Sequence, residues 1–316
     1  TRLIVTCIAQ LCLEVRVRRP EGEVHVELVA PDGRMVTKFS LMHTTDGLHE
    51  REATIANPQL WTAETPFLYR LHVALIAGGK PLQTCDVHIG IREISVADGV
   101  LHLNGAPIKL RGVNWVPEDP NTGRTVTIAD ERRDLELMKK ANINFVRVAH
   151  FPPNRSFLDL CDEMGIYVFN PVPLSHFQSN KKNDPAYRDN VMARVRSTLR
   201  RDKNHPSVII WGIGNETSPS EFSLELGRLT KEIDPTRPIC YPLTPLSFRE
   251  NYRTLPEFVD LYDEHYPTTV ELLDLAQELD RPAIFSEYAH ANALATGKVQ
   301  DQWAIMQAMP RLAGGA

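Results

Sequence analysis

From about residue 96 onward, short apolar runs alternate with stretches of helical periodicity, and this alternation limits the fold more than any other feature of the chain. The runs are Ile108–Trp115, Phe145–His150, Tyr167–Pro173, Val208–Glu216, Pro238–Thr244, Leu261–Pro267 and Ile284–His290. Near-continuous apolar strands separated by amphipathic helices imply a parallel sheet covered by helices, because both faces of every strand are buried. The intervening helices carry readable ends. Thr127 and Asp130 have the spacing of a capping box, Gly165 stands where a helix stops, and Asp184-Pro185 puts proline at a first helical position. Seven such repeats over residues 96–316 predict a (β/α)8 barrel, typically about 250 residues long. The competing architecture, a doubly wound open sheet, would want a glycine-rich phosphate turn after its first strand, and "RGVNWVPEDPNTG" has none. The count is one strand short. The chain ends at "PRLAGGA", where an eighth strand would begin, so the expected barrel is incomplete at its C-terminus and lacks its last strand.

Residues 1–95 follow a different rule. "LEVRVRR", "EVHVELVA", "RMVTKFSL", "LYRLHVALI" and "LQTCDVHIGI" alternate apolar and polar residues, and turn residues such as Pro31-Asp32-Gly33 and Gly78-Gly79 separate them. Several short strands with no helix between them predict a β-sandwich. The division expected is therefore a sandwich over 1–95 and a barrel over 96–316, in line with about two domains for 316 residues.

Composition excludes some functions. A net charge of −5 gives no electrostatic footprint for nucleic acid or an anionic membrane surface. No stretch approaches the roughly 20 apolar residues of a membrane span. The first 20 residues hold no uncharged apolar block with a cleavage site, so no signal peptide is expected and the location expected is cytoplasmic. Because Thr1 rather than methionine comes first, a leader or a whole domain is expected to precede it. Cys7, Cys12, Cys85, Cys161 and Cys240 are scattered without metal spacing and are expected to be buried reduced thiols.

In a barrel of this kind the chemistry sits at the C-terminal ends of the strands. Those ends carry Asn114 and Glu118; Arg147 and His150; Asn170; Asn215 and Glu216; His265 and Tyr266; and Glu287, Tyr288 and His290. Glu216 and Glu287 each end an apolar run, where desolvation raises a carboxyl pKa unless a cation offsets it. Two carboxyl groups in unlike environments suit glycoside hydrolysis, one protonating the leaving oxygen and the other attacking the anomeric carbon. The residues alone favour solvated or salt-bridged loop carboxylates, hydrogen-bonded histidines and a core role for Trp211 over catalysis.

"RDKNHPSVIIWGIGNE" (201–216), "LNGAPIKLRGVN" (103–114), "NFVRVAHFPP" (144–153), "CDEMGIYV" (161–168), "DPTRP" (234–238) and "SEYAHA" (286–291) occur in the order found in glycoside hydrolase family 2. The chain resembles that family, which comprises β-galactosidases, β-glucuronidases and β-mannosidases, and "SEYAHA" has the β-galactosidase form. "NPQLWTAETPFLYRLHVAL" (57–75) resembles the end of the family's immunoglobulin-like domain. The resemblance implies that Glu216 is the general acid/base and Glu287 the nucleophile. It implies that Asn215 meets the sugar 2-hydroxyl, that Arg147 and Tyr266 hold Glu287, and that His150 and His290 line the sugar pocket. The implied activity is retaining hydrolysis of terminal β-glycosides, β-galactosides first, with β-mannosides or β-glucuronides as alternatives and an inactive sugar-binding or scaffold remnant as another. The implied partner is a small-molecule or oligosaccharide substrate, and homo-oligomers are common among large members. Three departures from the family pattern stand out. The acidic pair at the third strand is replaced by Phe169-Asn170-Pro171, the positions of two magnesium ligands hold Ser175, His176 and Phe177, and "NWVP" is closer to β-mannosidases. No metal or other cofactor is therefore expected, and against the family's plan, with its N-terminal jelly-roll domain, the chain reads as short at both ends.

Overall fold

A computed structural model describes residues 8–16, 22–41, 48–175, 184–217, 220–242, 255–290 and 299–316. The chain divides into two compact units, Thr1–Arg92 and Glu93–Ala316.

The first unit is built from antiparallel strands. One sheet pairs β1 (Ile8–Arg16) with β4 (Leu48–Ala56); the other has the order β3-β2-β5-β6, with β2 Glu23–Val29, β3 Met35–Leu41, β5 Tyr69–Ala77 and β6 Lys80–Ile89. The alternation in β2 is literal: Val24, Val26 and Leu28 are buried while the residues between them are half-buried. They pack with Tyr69 and Leu71 from their own sheet and with Leu13, Val15 and Ile55 from the other, which makes the unit a sandwich. Strand β4 is absent from the sequence reading. Its run "LHEREATIA" is half charged or polar, and only its pairing with β1, from Ile8↔Ala56 to Arg16↔Leu48, identifies it.

The second unit opens with a small antiparallel sheet of β7 (Ile94–Ala97), β8 (Val100–Leu103) and β9 (Ala106–Pro107). Parallel strands follow: β10 (Leu110–Trp115), β11 (Phe145–Val148), β12 (Tyr167–Pro171), β13 (Val208–Gly212), β14 (Ile239–Cys240), β15 (Tyr262–His265), β16 (Ala283–Glu287) and β17 (Leu312–Gly315). Their order is β14-β13-β12-β11-β10-β17-β16-β15, and a parallel bridge between Cys240 and Leu261 brings the two ends of that order together. Helices α1 (Ile128–Lys140), α2 (Arg155–Met164), α3 (Pro185–Asp202), α4 (Glu221–Ile233), α5 (Thr269–Glu278) and α6 (Val299–Ala308) cover it. The predicted ends are in place. Thr127 and Asp130 form a reciprocal capping box, Asp184 caps α3 ahead of Pro185, and Gly165 ends α2 in the left-handed region. None of the described helices is long and apolar enough to cross a membrane.

The expectation that the barrel lacks its last strand is corrected. Strand β17 is the eighth, and it lies between β10 and β16 with Leu110↔Gly314 and Ala283↔Leu312 in register. It was illegible because "LAGG" has no apolar run. The small residues are there for space: a Cβ on Gly314 would stand 2.1 Å from the Leu110 carbonyl oxygen, and φ there is +129°. Lys109 fastens the same region, its ammonium donating to the carbonyls of Met306, Met309 and Leu312 at 2.8, 2.6 and 2.5 Å.

Among the described cysteines, Cys161 and Cys240 are buried thiols, but Cys85 is exposed. It sits on β6, whose outer half faces water, so the expectation of burial fails there. Cys7 and the side chain of Cys12 lie outside the described residues.

Candidate active site

Eight parallel strands deliver their C-terminal ends to one rim, and the two carboxylates meet there. Glu216 follows β13 and Glu287 ends β16, and an oxygen of each lies within 4.8 Å of the other and of a ring nitrogen of His265. Glu216 has φ +43° and Tyr266 +54°, a region non-glycine residues rarely occupy, and such outliers cluster where a site fixes side-chain direction. Gly214, at φ +78°, makes the turn that brings the chain from the buried strand to Asn215 and Glu216.

The two environments are unlike. Glu287 is 13% exposed and receives Arg147 Nη1 at 2.9 Å on Oε1 and the Tyr266 hydroxyl on Oε2. Burial pushes its carboxyl up, but His265, the Tyr266 hydroxyl and Arg147 outweigh this, and it ends below the ordinary glutamate value. The Tyr266 phenol is driven up, by burial first and then by its bond to Glu287, so it stays a donor. Glu216 is more open, at 26%, and its Oε1 lies 3.1 Å from His265 Nδ1.

Arg147 is 1% exposed and organises the floor of the site. Its Nη1 also donates to Asn114 Oδ1 at 2.7 Å, and its Nη2 donates to Asn215 Oδ1. Asn114 Nδ2 in turn donates to the Ser286 carbonyl at 2.8 Å. With Asn215 Oδ1 bonded to Arg147, its Nδ2 is buried and has no hydrogen-bond partner among the described residues. A buried amide N–H without a partner is costly unless a ligand supplies an acceptor.

The predicted residues thus separate. Glu287, Asn215, Arg147 and Tyr266 form one bonded constellation, and Glu216 meets it through His265. His290 joins it by stacking on Tyr266, with ring centroids 5.7 Å apart, and is exposed. His150 is half-buried in the loop leaving β11. Asn170 points elsewhere, donating to Asp202 at 2.9 Å, and Trp211 is core, its Nε1 donating to Asp234 at 2.8 Å. Trp115 is also core, stacked on Phe157 at 4.0 Å and donating to Asp134, so the "NWVP" resemblance does not reach the site through it.

Sequence reasoning placed His265 at a strand end without giving it a role, and it passed over Ser286 and Asp263. The signal was available: Asp263 and His265 lie two apart on β15, so they share a face, and polar residues on a buried strand face need partners. As for the magnesium that the family resemblance brings to mind, a hard cation wants several oxygen ligands. At the third strand Asn170, whose Nδ2 donates to Asp202, offers one amide oxygen, and Ser175 offers one hydroxyl, too few oxygens to fit such an ion. His176 and Phe177 lie outside the described residues.

The family described as "Glycosyl hydrolases family 2, TIM barrel domain" matches residues 94–316, and "Glycosyl hydrolases family 2" matches residues 5–92. The chain belongs to glycoside hydrolase family 2. A β-galactosidase of Vibrio cholerae is 33% identical across 97% of this chain and 32% of its own length. One of Vibrio vulnificus is 35% identical across 99% of this chain and 31% of its own. This family 2 chain therefore spans about a third of the length of the curated relatives it matches. Among solved structures, a Bacteroides uniformis β-glucuronidase superposes with a TM-score of 0.83 at 25% identity, over 98% of this chain and 43% of that one. A Bifidobacterium dentium β-glucuronidase reaches the same score at 20% identity, over 98% and 56%, and speaks for the fold.

Proposed function

We propose that this family 2 chain carries the catalytic centre of a retaining exo-β-glycosidase acting on terminal β-galactosides. The observation that carries the proposal is the pairing of Glu216 and Glu287 oxygens within 4.8 Å in unequal surroundings. Retaining enzymes place their carboxyl groups about 5–5.5 Å apart, whereas inverting ones leave roughly 6.5–9.5 Å for a water. Held ionised by Arg147 and Tyr266, Glu287 attacks the anomeric carbon. Glu216 protonates the glycosidic oxygen as that bond breaks, and the aglycone leaves. Glu216 then takes a proton from water, whose oxygen displaces Glu287 and frees the sugar. The unpartnered Nδ2 of Asn215 supports a bond to the 2-hydroxyl, which strengthens in the transition state. The named β-galactosidases among the relatives support galactose as the sugar.

Treatment of the protein with a 2-deoxy-2-fluoro-β-galactosyl fluoride tests this. The expected result is one added glycosyl mass on the peptide holding Glu287. An unlabelled protein, or a label on another residue, overturns it. A chromogenic panel of β-galactoside, β-mannoside and β-glucuronide separates the sugars, and sugar binding without product release on any of them supports the inactive remnant instead.

A further inference from the structure

His265 is buried between the two glutamates, and both of its ring nitrogens are engaged. Nε2 lies 3.1 Å from Ser286 Oγ, and Nδ1 lies 3.1 Å from Glu216 Oε1 and 3.7 Å from Glu287 Oε1. Ser286 also touches Asp263, donating from its hydroxyl to Oδ2 at 2.5 Å and from its backbone N–H to Oδ1 at 2.9 Å. Cys240 approaches the same Oδ2 at 3.6 Å. Asp263 is thus surrounded by donors and acts as the acceptor.

With Asp263 as the acceptor, these contacts assign one pattern of protons. A serine hydroxyl has one hydrogen, and here it goes to Asp263. The Ser286 oxygen must then accept from His265, so Nε2 carries the ring hydrogen. Nδ1 is left facing Glu216, and one proton fits between them. It sits either on Glu216 as the acid or on Nδ1 as imidazolium against the carboxylate. The other groups around the ring are Glu287, Tyr266, whose ring stands edge-on with centroids 5.9 Å apart, and Arg147, which acts on both Glu287 and Asp263. Burial pushes Asp263 above the ordinary carboxylate value, while His265, the Ser286 bonds and Arg147 pull against it.

We propose that Asp263, Ser286 and His265 form a hydrogen-bonded chain that positions Glu216 and holds its transferable proton, with His265 as a positioning residue for the acid/base. The proposal rests on the retaining-glycosidase reading above. When Glu216 gives its proton to the glycosidic oxygen, the pair loses one proton and two lone pairs are left facing each other. That favours the proton's return from the attacking water, so the same contact serves both halves of the reaction.

The test uses the full-length protein and compares kcat/KM, which reports the first chemical step, on a poor and a good leaving group. An alkyl β-galactoside needs the acid, whereas a 2,4-dinitrophenyl β-galactoside leaves with almost no help. Since general acid catalysis contributes 10²–10⁴-fold, His265→Leu, compared at a pH where Glu287 stays ionised without His265, is expected to lower the alkyl substrate's kcat/KM by about 30-fold or more and the dinitrophenyl substrate's by less than about threefold. Ser286→Ala is expected to show the same selectivity, more weakly. Equal losses on both substrates, as from a loosened fold, overturn the proposal while leaving the glycosidase reading intact. A wild-type protein that turns over neither substrate overturns both. Nitrogen NMR of the His265 ring, assigned by its loss in His265→Gln, reads the tautomer without turnover. Hydrogen on Nε2, with tautomers mixing in Ser286→Ala, is expected. A neutral ring carrying its hydrogen on Nδ1 overturns the proposal.

Discussion

The guanidinium of Arg147 donates to the carboxylate of Glu287 across 2.9 Å, at the base of a site where the arginine is 1% and the glutamate 13% exposed. Arg147 comes from β11 and Glu287 from β16, so the pair spans the barrel interior. The same guanidinium holds Asn215, which immediately precedes Glu216. One buried cation therefore helps, with His265 and Tyr266, to hold the charge of the proposed nucleophile, and it fixes the residue that leads into the proposed acid/base.

Replacing Arg147 by methionine is expected to act twice. Breaking a buried ion pair from one side costs about 3 kcal/mol, readable as a shift of the urea midpoint. Catalysis is expected to fall by about 10²–10³-fold, the range for removing one preorganised electrostatic partner. As the proposed nucleophile Glu287 must be ionised, and its carboxyl is now held low against burial by His265, Tyr266 and Arg147. With the arginine gone, burial counts for more, so the acid limb of the kcat/KM profile is expected to move to higher pH. An unmoved acid limb would separate Arg147 from the ionisation of Glu287.

Asn215→Ala probes the unpartnered amide. It is expected to lower kcat/KM on ordinary β-galactosides by about 10²-fold, in line with loss of one transition-state hydrogen bond. On 2-deoxygalactosides, which lack the hydroxyl, the same substitution is expected to change little. Equal losses on the two sugars would mean that Nδ2 faces something other than the 2-position.

A pH-dependent stability term is expected from Asp234. It accepts from Trp211 at 2.8 Å and Arg237 Nη1 at 2.6 Å, both buried. Burial pushes its carboxyl up, but Arg237, Thr236 and Trp211 prevail and bring it from 3.8 to about 2. A lowered folded-state value gives stability that is whole above the unfolded value and is lost as pH falls through the folded one. The term is about 2 kcal/mol, disappearing between roughly pH 4 and pH 2. Urea melts of wild type and Asp234→Asn at pH 7 and pH 2.5 check this: the gap between the two proteins is expected to narrow at the lower pH.

The eighth strand is expected to be intolerant of side chains. Gly314→Ala meets the Leu110 carbonyl at 2.1 Å and strains a φ of +129°, so β10 and β17 have to separate. Lys109→Met leaves three carbonyls without their donor, each such bond to a charged group contributing about 1.5–3 kcal/mol. Both variants are expected to unfold at lower denaturant than wild type and to expose the amides of β17 to hydrogen exchange first. Unchanged exchange in β17 would contradict the fastening role of Lys109.

Periodicity and end chemistry made much of the molecule legible. Seven apolar runs became β10 to β16, and the caps at Thr127, Asp184 and Gly165 stand where their side chains or lack of one require. These are local properties: a strand buried on both faces, or a helix with unpaired N–H groups, has to be written into neighbouring residues. The same logic put Glu216 and Glu287 at strand ends, and hence on one rim. Tertiary structure decided the rest. Strand β17 exists because β10 and β16 leave a slot that glycine fills, and β4 exists because β1 offers a partner. His265 belongs to the site because Ser286 and Glu216, 21 and 49 positions away in sequence, come within 3.1 Å of its two nitrogens. No pattern within one segment encodes a slot or a shared proton. Both arise only when distant strands close the ring and exclude water between them.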